Sequence, residues 1–283
     1  MLTDRFLART ALSQRLFICL PAPEKDGRYP TSRIQKGPIL TVNDRDLSGE
    51  GVGLGVPVIK FAQRAFFPGT ARVIARKASE GFSVWVVEYD FNLVERVALE
   101  RGHVVHNADF YRLIEGFAVL YRTIAIWRGI IERFDRALRF IWRLTTTFER
   151  TASVGLMRVS YCIDRRNRAV NVRVGSSRFS ENESAEVILL NELDGSLFDR
   201  YSDSSGLELR GKDIGAWEKT FADCVTLTDS HHCVSFSVPH APRSNMYRGR
   251  EVAGGRLSWA GVAYVLSPHC ASFEYKISIC DAA

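Results

Sequence analysis

Met157-Arg-Val-Ser-Tyr-Cys-Ile-Asp164, a charged loop through Arg168, and then Ala169-Val-Asn-Val-Arg-Val174 form the stretch that decides the kind of fold this chain adopts. Successive side chains of a strand point to opposite faces. Met157, Val159, Tyr161 and Ile163 therefore share one face and Arg158, Ser160, Cys162 and Asp164 the other. Val170, Val172 and Val174 repeat the pattern against Asn171 and Arg173, which makes the two runs a hairpin. Alternation is clearest where Phe273, Tyr275, Ile277 and Ile279 face one way and Glu274, Lys276 and Ser278 the other.

Working outward, further strands read over Val56–Phe61, Ala71–Ala75, Phe82–Val97, Val187–Leu193, Cys224–Thr228, Cys233–Val238 and Leu257–Leu266. An antiparallel sheet with one wet face gives such alternation, whereas a parallel sheet covered on both faces gives continuous apolar strands separated by repeated helices. The fold class expected is mainly β, an antiparallel β-sandwich of many strands. Pro57 and Pro68 should mark strand starts or edges, since proline cannot donate to a ladder.

Between the β regions, apolar residues recur at spacings of four and three through Leu113, Phe117, Leu120, Ile124, Trp127, Ile131, Phe134, Leu138, Ile141 and Phe148. That heptad spacing predicts a long amphipathic helix or helix pair inserted mid-chain over 109–150, between a β region over 1–108 and another over 151–283, packed as one domain in the absence of any linker. Some 40 helical residues would extend about 60 Å, beyond the roughly 50 Å breadth of a compact chain of this size. The seam must then bend, break or meet a second copy through Leu113, Phe117, Leu120, Ile124, Trp127 and Ile131.

Composition bounds the function without fixing it. The 283 residues include 38 Lys+Arg against 32 Asp+Glu, a net charge of +6, with the excess arginines scattered among acids. A specific nucleic-acid partner is not expected from so mild an excess. No window offers the roughly 18 uncharged apolar residues of a membrane span. Leu16–Leu20 is too short for a secretory core, and the six cysteines read as thiols of a reducing compartment. The expected location is the cytoplasm.

No motif fixes a reaction. Gly49, Gly51, Gly53 and Gly55 alternate but match neither the dinucleotide nor the phosphate-loop pattern; they leave one face of a strand bare, for close approach of another backbone. Asn43–Gly49 begins like a calcium loop but has Gly55 where the bidentate acid belongs. His103 and His106 with Asp109 form one candidate metal trio and His231 and His232 beside Cys233 another, but adjacent residues on a strand point to opposite faces, and no metal or other cofactor is expected. The candidate ligand-binding residues are Trp85, Tyr89, Trp217 and Trp259, aromatic platforms for a saccharide-like or protein partner in a non-catalytic binding or structural protein. Two alternatives stand beside this. One is a carbohydrate-active enzyme drawing a carboxylate pair from Glu88, Asp90 and Glu95; the other is an assembly module oligomerising through the heptad seam.

Overall fold

A computed structural model describes residues 5–22, 30–61, 64–99, 144–179, 185–215, 217–253, 257–266 and 272–281, and in it the chain is antiparallel β-structure. A small sheet holds β1 (Phe6–Ala11), β2 (Leu16–Pro21), β3 (Ile39–Val42) and β4 (Arg45–Asp46). A second, 15-stranded sheet begins with β5 (Gly53–Phe61), β6 (Arg64–Ser79), β7 (Phe82–Leu99), β8 (Leu144–Arg150), β9 (Gly155–Asp164), β10 (Ala169–Phe179) and β11 (Glu186–Leu193). It continues through β12 (Phe198–Asp203), β13 (Glu208–Arg210), β14 (Glu218–Thr220), β15 (Cys224–Asp229), β16 (Val234–Pro239), β17 (Ser244–Ala253), β18 (Leu257–Leu266) and β19 (Phe273–Asp281). Its strand order is β13-β12-β15-β16-β19-β10-β9-β7-β6-β5-β11-β18-β17-β14, with β8 pairing to β7 beside that path.

The alternation read from sequence becomes burial. β9 and β10 pair Ile163 with Val170, Tyr161 with Val172 and Val159 with Val174, and all six side chains are buried. In β19 the burial pattern alternates strictly along its whole length. Each such side chain removed from water contributes about 1.5–3 kcal/mol.

The long sheet folds back on itself, so that β5, β11, β18 and β17 lie across the core from β9, β10, β19 and β16. Tyr264 of β18 and Tyr275 of β19 meet edge to face at 4.6 Å. A Cβ on Gly55 of β5 would come within 3.0 Å of Tyr161 and 2.9 Å of Val172. Tyr161 takes the space that this absent Cβ leaves, donating to the Gly55 carbonyl at 2.9 Å while its hydroxyl meets that of Tyr89 at 2.8 Å. The fold is turned at β6 and β7, whose pairing shifts register at Phe67/Pro68, Pro68/Thr70 and Val73/Ala75; such bulges bend and twist a strand. Pro68 sits at one of these shifts. Pro57 lies within β5 rather than at its start, paired with Leu189 of β11 on one side and ahead of the point where β6 joins at Ile59 on the other, so it sits at a locally open edge.

The expected sandwich with an inserted helix is corrected. Leu144–Arg150 is strand β8, paired residue by residue from Leu99↔Leu144 to Leu93↔Arg150. Thr145, Thr146 and Thr147 explain this, because β-branched side chains pack well on a pleated surface and lose rotamer freedom in a helix. The helical turns among the described residues are two short 3-10 segments, Pro30–Arg33 and Gly211–Ile214. Residues 109–143, with the seam positions Leu113, Phe117, Leu120, Ile124, Trp127 and Ile131, lie outside the described residues, as do His103, His106 and Asp109. Strands on both sides of that segment belong to one sheet, and the core joins facing limbs of that sheet with the small sheet, whose Ile18, Leu20 and Leu40 pack into the same cluster. No helix among the described residues is long and apolar enough to cross a membrane.

Candidate functional site

On the side of β11, β18 and β17 turned away from the core, register alone builds an unusual row. Glu192 pairs with Gly53 on one side and Gly261 on the other, and Gly261 pairs with Gly249. Beyond Gly249 the next strand begins, and a Cβ there would stand 3.0 Å from the backbone nitrogen of Trp217. Three glycines thus leave the backbone bare, and two side chains occupy the space. The Glu192 side chain crosses Gly261, with Cγ 2.8 Å from where a Cβ would be, and the Trp259 ring crosses Gly249 at 3.0 Å.

Trp217 lies on Trp259, with ring centroids 4.5 Å apart and planes 17° from parallel. Trp259 is 8% exposed whereas Trp217 keeps 39% of its surface in solvent. Short strand β14 ends the sheet with Lys219 turned outward and Glu218 and Thr220 inward, and Trp217 and Phe221, which flank the strand, are exposed on either side of Lys219. Inside, Glu218 accepts from Arg248 at 2.9 Å, and that guanidinium also lies 4.7 Å over the Tyr201 ring. Outside, Lys219 Nζ stands 5.0 Å from the Phe221 ring centre, and Phe221 is 83% exposed. An aromatic–cation–aromatic line therefore faces water along an open sheet edge.

Two buried acids flank this face. Burial pushes the Glu192 carboxyl up to about 7, and only a backbone hydrogen bond from Val52 favours its charged form. Glu50 is raised as well, by burial first and by Asp194 behind it, against a backbone hydrogen bond from Ser258 and the charge of Lys36. Its Oε2 is buried without a hydrogen-bond partner. Gly51 packs so tightly on the Glu192 carbonyl that a Cβ would sit 2.7 Å from it, so the 49–53 segment closes over β11. Asp194 is occupied locally, accepting from Ser196 and from Ser258 Oγ at 2.7 Å.

The remaining predicted residues fall elsewhere. Trp85 and Tyr89 are 1% and 0% exposed on the inward face of β7, where they are core. Glu88 is clamped on the outer face by Arg158 at 2.8 Å and Arg72 at 2.7 Å, which together hold it below the usual carboxylate range. Asp90 shares that face, hydrogen-bonded to Asn92 at 3.2 Å and Thr70 at 3.4 Å. Glu95 lies farther along β7, opposite Phe148 of β8. The structure brings together Trp217 and Trp259, forty-two positions apart, and gathers Glu88 and Asp90 on a different face. Sequence reasoning passed over Glu192, Glu50, Lys219 and Phe221. The one signal for Glu192 was a charged residue inside the apolar run Val187–Leu193.

Other polar clusters are structural in their hydrogen bonding. His232 Nδ1 lies 2.5 Å from Asp229 Oδ2, and Asp229 Oδ1 takes the backbone N–H of His231, closing the β15–β16 turn. No group of three or more His, Cys, Asp or Glu among the described residues is placed to hold a metal ion. Cys224 opposes Pro239 across the β15–β16 hairpin, and the thiols of Cys224 and Cys233 are free. A depression of about 280 Å³ is lined by Ser196, Asp199, Arg200 and His231, and a neighbouring one of about 360 Å³ by Thr228, Cys233 and Cys280; neither reaches Glu192 or Glu50.

No known family pattern and no characterised protein sequence matches the chain. Among solved structures, alpha-N-acetylgalactosaminidase NagBb from Bifidobacterium bifidum, in complex with GalNAc, superposes with a TM-score of 0.50 at 9% identity. The match covers 98% of this chain and 36% of that one, so the chain spans about a third of the solved protein's length. A galactose mutarotase-like protein from Clostridium acetobutylicum aligns over 96% of this chain and 94% of its own at 10% identity, with a TM-score of 0.39. At such identities the first likeness shows a shared fold.

Proposed function

We propose that this β domain is a non-catalytic saccharide-binding module whose ligand stacks on Trp217 at the open edge of the long sheet. The observation that carries the reading is the Trp217–Trp259 stack, with one indole anchored over Gly249 and the other 39% exposed. A rigid indole offers apolar area at little loss of conformational freedom, and the buried ring beneath fixes its tilt before a ligand arrives. Preorganisation of this kind lowers the entropy lost on binding.

Catalysis on a glycosidic bond calls for two carboxyls flanking an open site, one with a raised pKa. Glu192 has the raised pKa, but it is 8% exposed and its carboxyl is taken up by the Val52 backbone N–H. Glu50 is itself 7% exposed. Glu88 and Asp90 lie on another face. Binding is therefore the reading the geometry favours.

Isothermal titration of the intact chain against neutral and N-acetylated hexose oligosaccharides tests it. N-acetylgalactosamine is a rational first probe because the solved chain of shared fold carries that ligand. At least one saccharide should bind, and Trp217→Ala should weaken it about tenfold, equivalent to about 1.4 kcal/mol. Silence across the panel, or unchanged affinity in Trp217→Ala, would overturn the proposal.

A further inference from the structure

Lys219 of β14 stands between Trp217 and Phe221, the exposed aromatics that flank the strand, and plays no part in the indole stack. Its Nζ lies over the Phe221 ring, and no carboxylate among the described residues is within ion-pair distance of it. The neighbouring acid on its own strand, Glu218, faces the other way and is engaged by Arg248. An aromatic ring attracts a cation without cancelling its charge. At about 3.3 Å per extended residue, Trp217 and Phe221 are at most about 13 Å apart along the chain, and the Lys219 ammonium lies at the Phe221 end of that span. A sugar chain lying ring by ring along this edge would present a substituent to the ammonium.

We infer that the edge-strand face takes a uronic-acid-containing saccharide, with Lys219 pairing with the sugar carboxylate and setting the preference over neutral sugars. This deepens the saccharide-binding reading and rests on it. Lysine brings a compact point charge with three donors, which suits one carboxylate per ring. A densely sulfated chain would instead call for a cluster of guanidinium groups. The carboxylate meets Lys219 at the surface, where an ion pair is screened and modest. Its contribution is discrimination, while the indole supplies the affinity.

The test uses the intact chain and uronic-acid trisaccharides of gluco, galacto and manno configuration, each paired with its methyl ester. The ester keeps the rings and removes the charge. At low ionic strength one trisaccharide should bind about 2- to 5-fold more tightly than its ester. Lys219→Met, which retains an apolar stem over Phe221, should bring the acid down to the affinity of the ester; Trp217→Ala should weaken both alike. Equal affinity for acid and ester, persistence of the preference in Lys219→Met, or preference for a sulfated form of the same sugar would each overturn the inference. Neutral saccharides bound through Trp217 with no uronate bound would sink the inference and leave the saccharide reading standing. Failure of every saccharide to bind would remove both.

Discussion

Replacing Glu192 with glutamine should make the protein more stable above neutral pH and remove part of its pH dependence. The wild-type carboxyl titrates at 4.5 ordinarily and at about 7 in the folded chain, because burial disfavours its charged form. Between these values the unfolded chain has released a proton that the folded chain still holds, so stability falls as pH rises. It is highest below 4.5 and levels off above 7. The shift corresponds to about 3 kcal/mol at 1.36 kcal/mol per unit. With an unfolding entropy of about 2.1 cal/mol/K per residue, a chain of 283 residues should shift its melting temperature by about 5 °C. Glutamine keeps the shape and an acceptor for the Val52 N–H while losing the charge. Melting curves of both proteins at pH 4.5, 6, 7 and 8 read the effect as a difference, which cancels groups common to both. The variant's advantage should grow from pH 4.5 to 7 and then stay level. A difference that is constant across the series would refute the argument that Glu192 is held neutral by burial. Glu50, raised for the same reason, keeps a residual slope of the same sign in the variant.

Trp85→Ala should cost about 3–5 kcal/mol in chemical denaturation, since it empties a fully packed site, whereas Trp217→Ala should cost under about 1 kcal/mol; equal losses would contradict the contrast between core and platform. Gly249→Ala places a Cβ 3.0 Å from both the Trp217 backbone and the Trp259 ring, so it should separate the stack, change the near-ultraviolet circular dichroism and weaken saccharide binding without touching the exposed indole face. Tyr161→Phe strips the donor from the Gly55 carbonyl and a partner from Tyr89 and should destabilise by about 1–3 kcal/mol; a midpoint in urea unchanged from wild type would count against that buried network.

Strand identity was legible wherever one face is wet. β9, β10 and β19 announce their inward faces by alternation because each has one dry and one solvated side. The stretch ending at Arg150 misled for a physical reason. Heptad spacing scores only where apolar residues fall, and it ignored Thr145–Thr147, whose branched side chains favour the extended chain that pairs with β7. Of the candidate platforms, Trp217 and Trp259 meet because β17 and β18 form a hairpin and β14 pairs with β17, the latter a long-range register that no local pattern encodes. Trp85 and Tyr89 occupy the same inward face of β7 as Val87 and Phe91. Their alternation with Glu88 and Asp90 pointed to the core, while their aromatic character pointed to a surface. The glycine row beside Glu192 was invisible for a related reason. Gly53, Gly249 and Gly261 are scattered in sequence and become one strip only through pairing across four strands.

The most direct test of the saccharide-binding account is the indole N–H spectrum of 15N-labelled protein during titration with the best oligosaccharide from the panel. The Trp217 resonance, assigned by its loss in Trp217→Phe, should move with saturation and carry Trp259 with it, while Trp85 in the core stays fixed. Titration that leaves Trp217 and Trp259 in place, whether nothing moves or other signals move alone, would contradict the account.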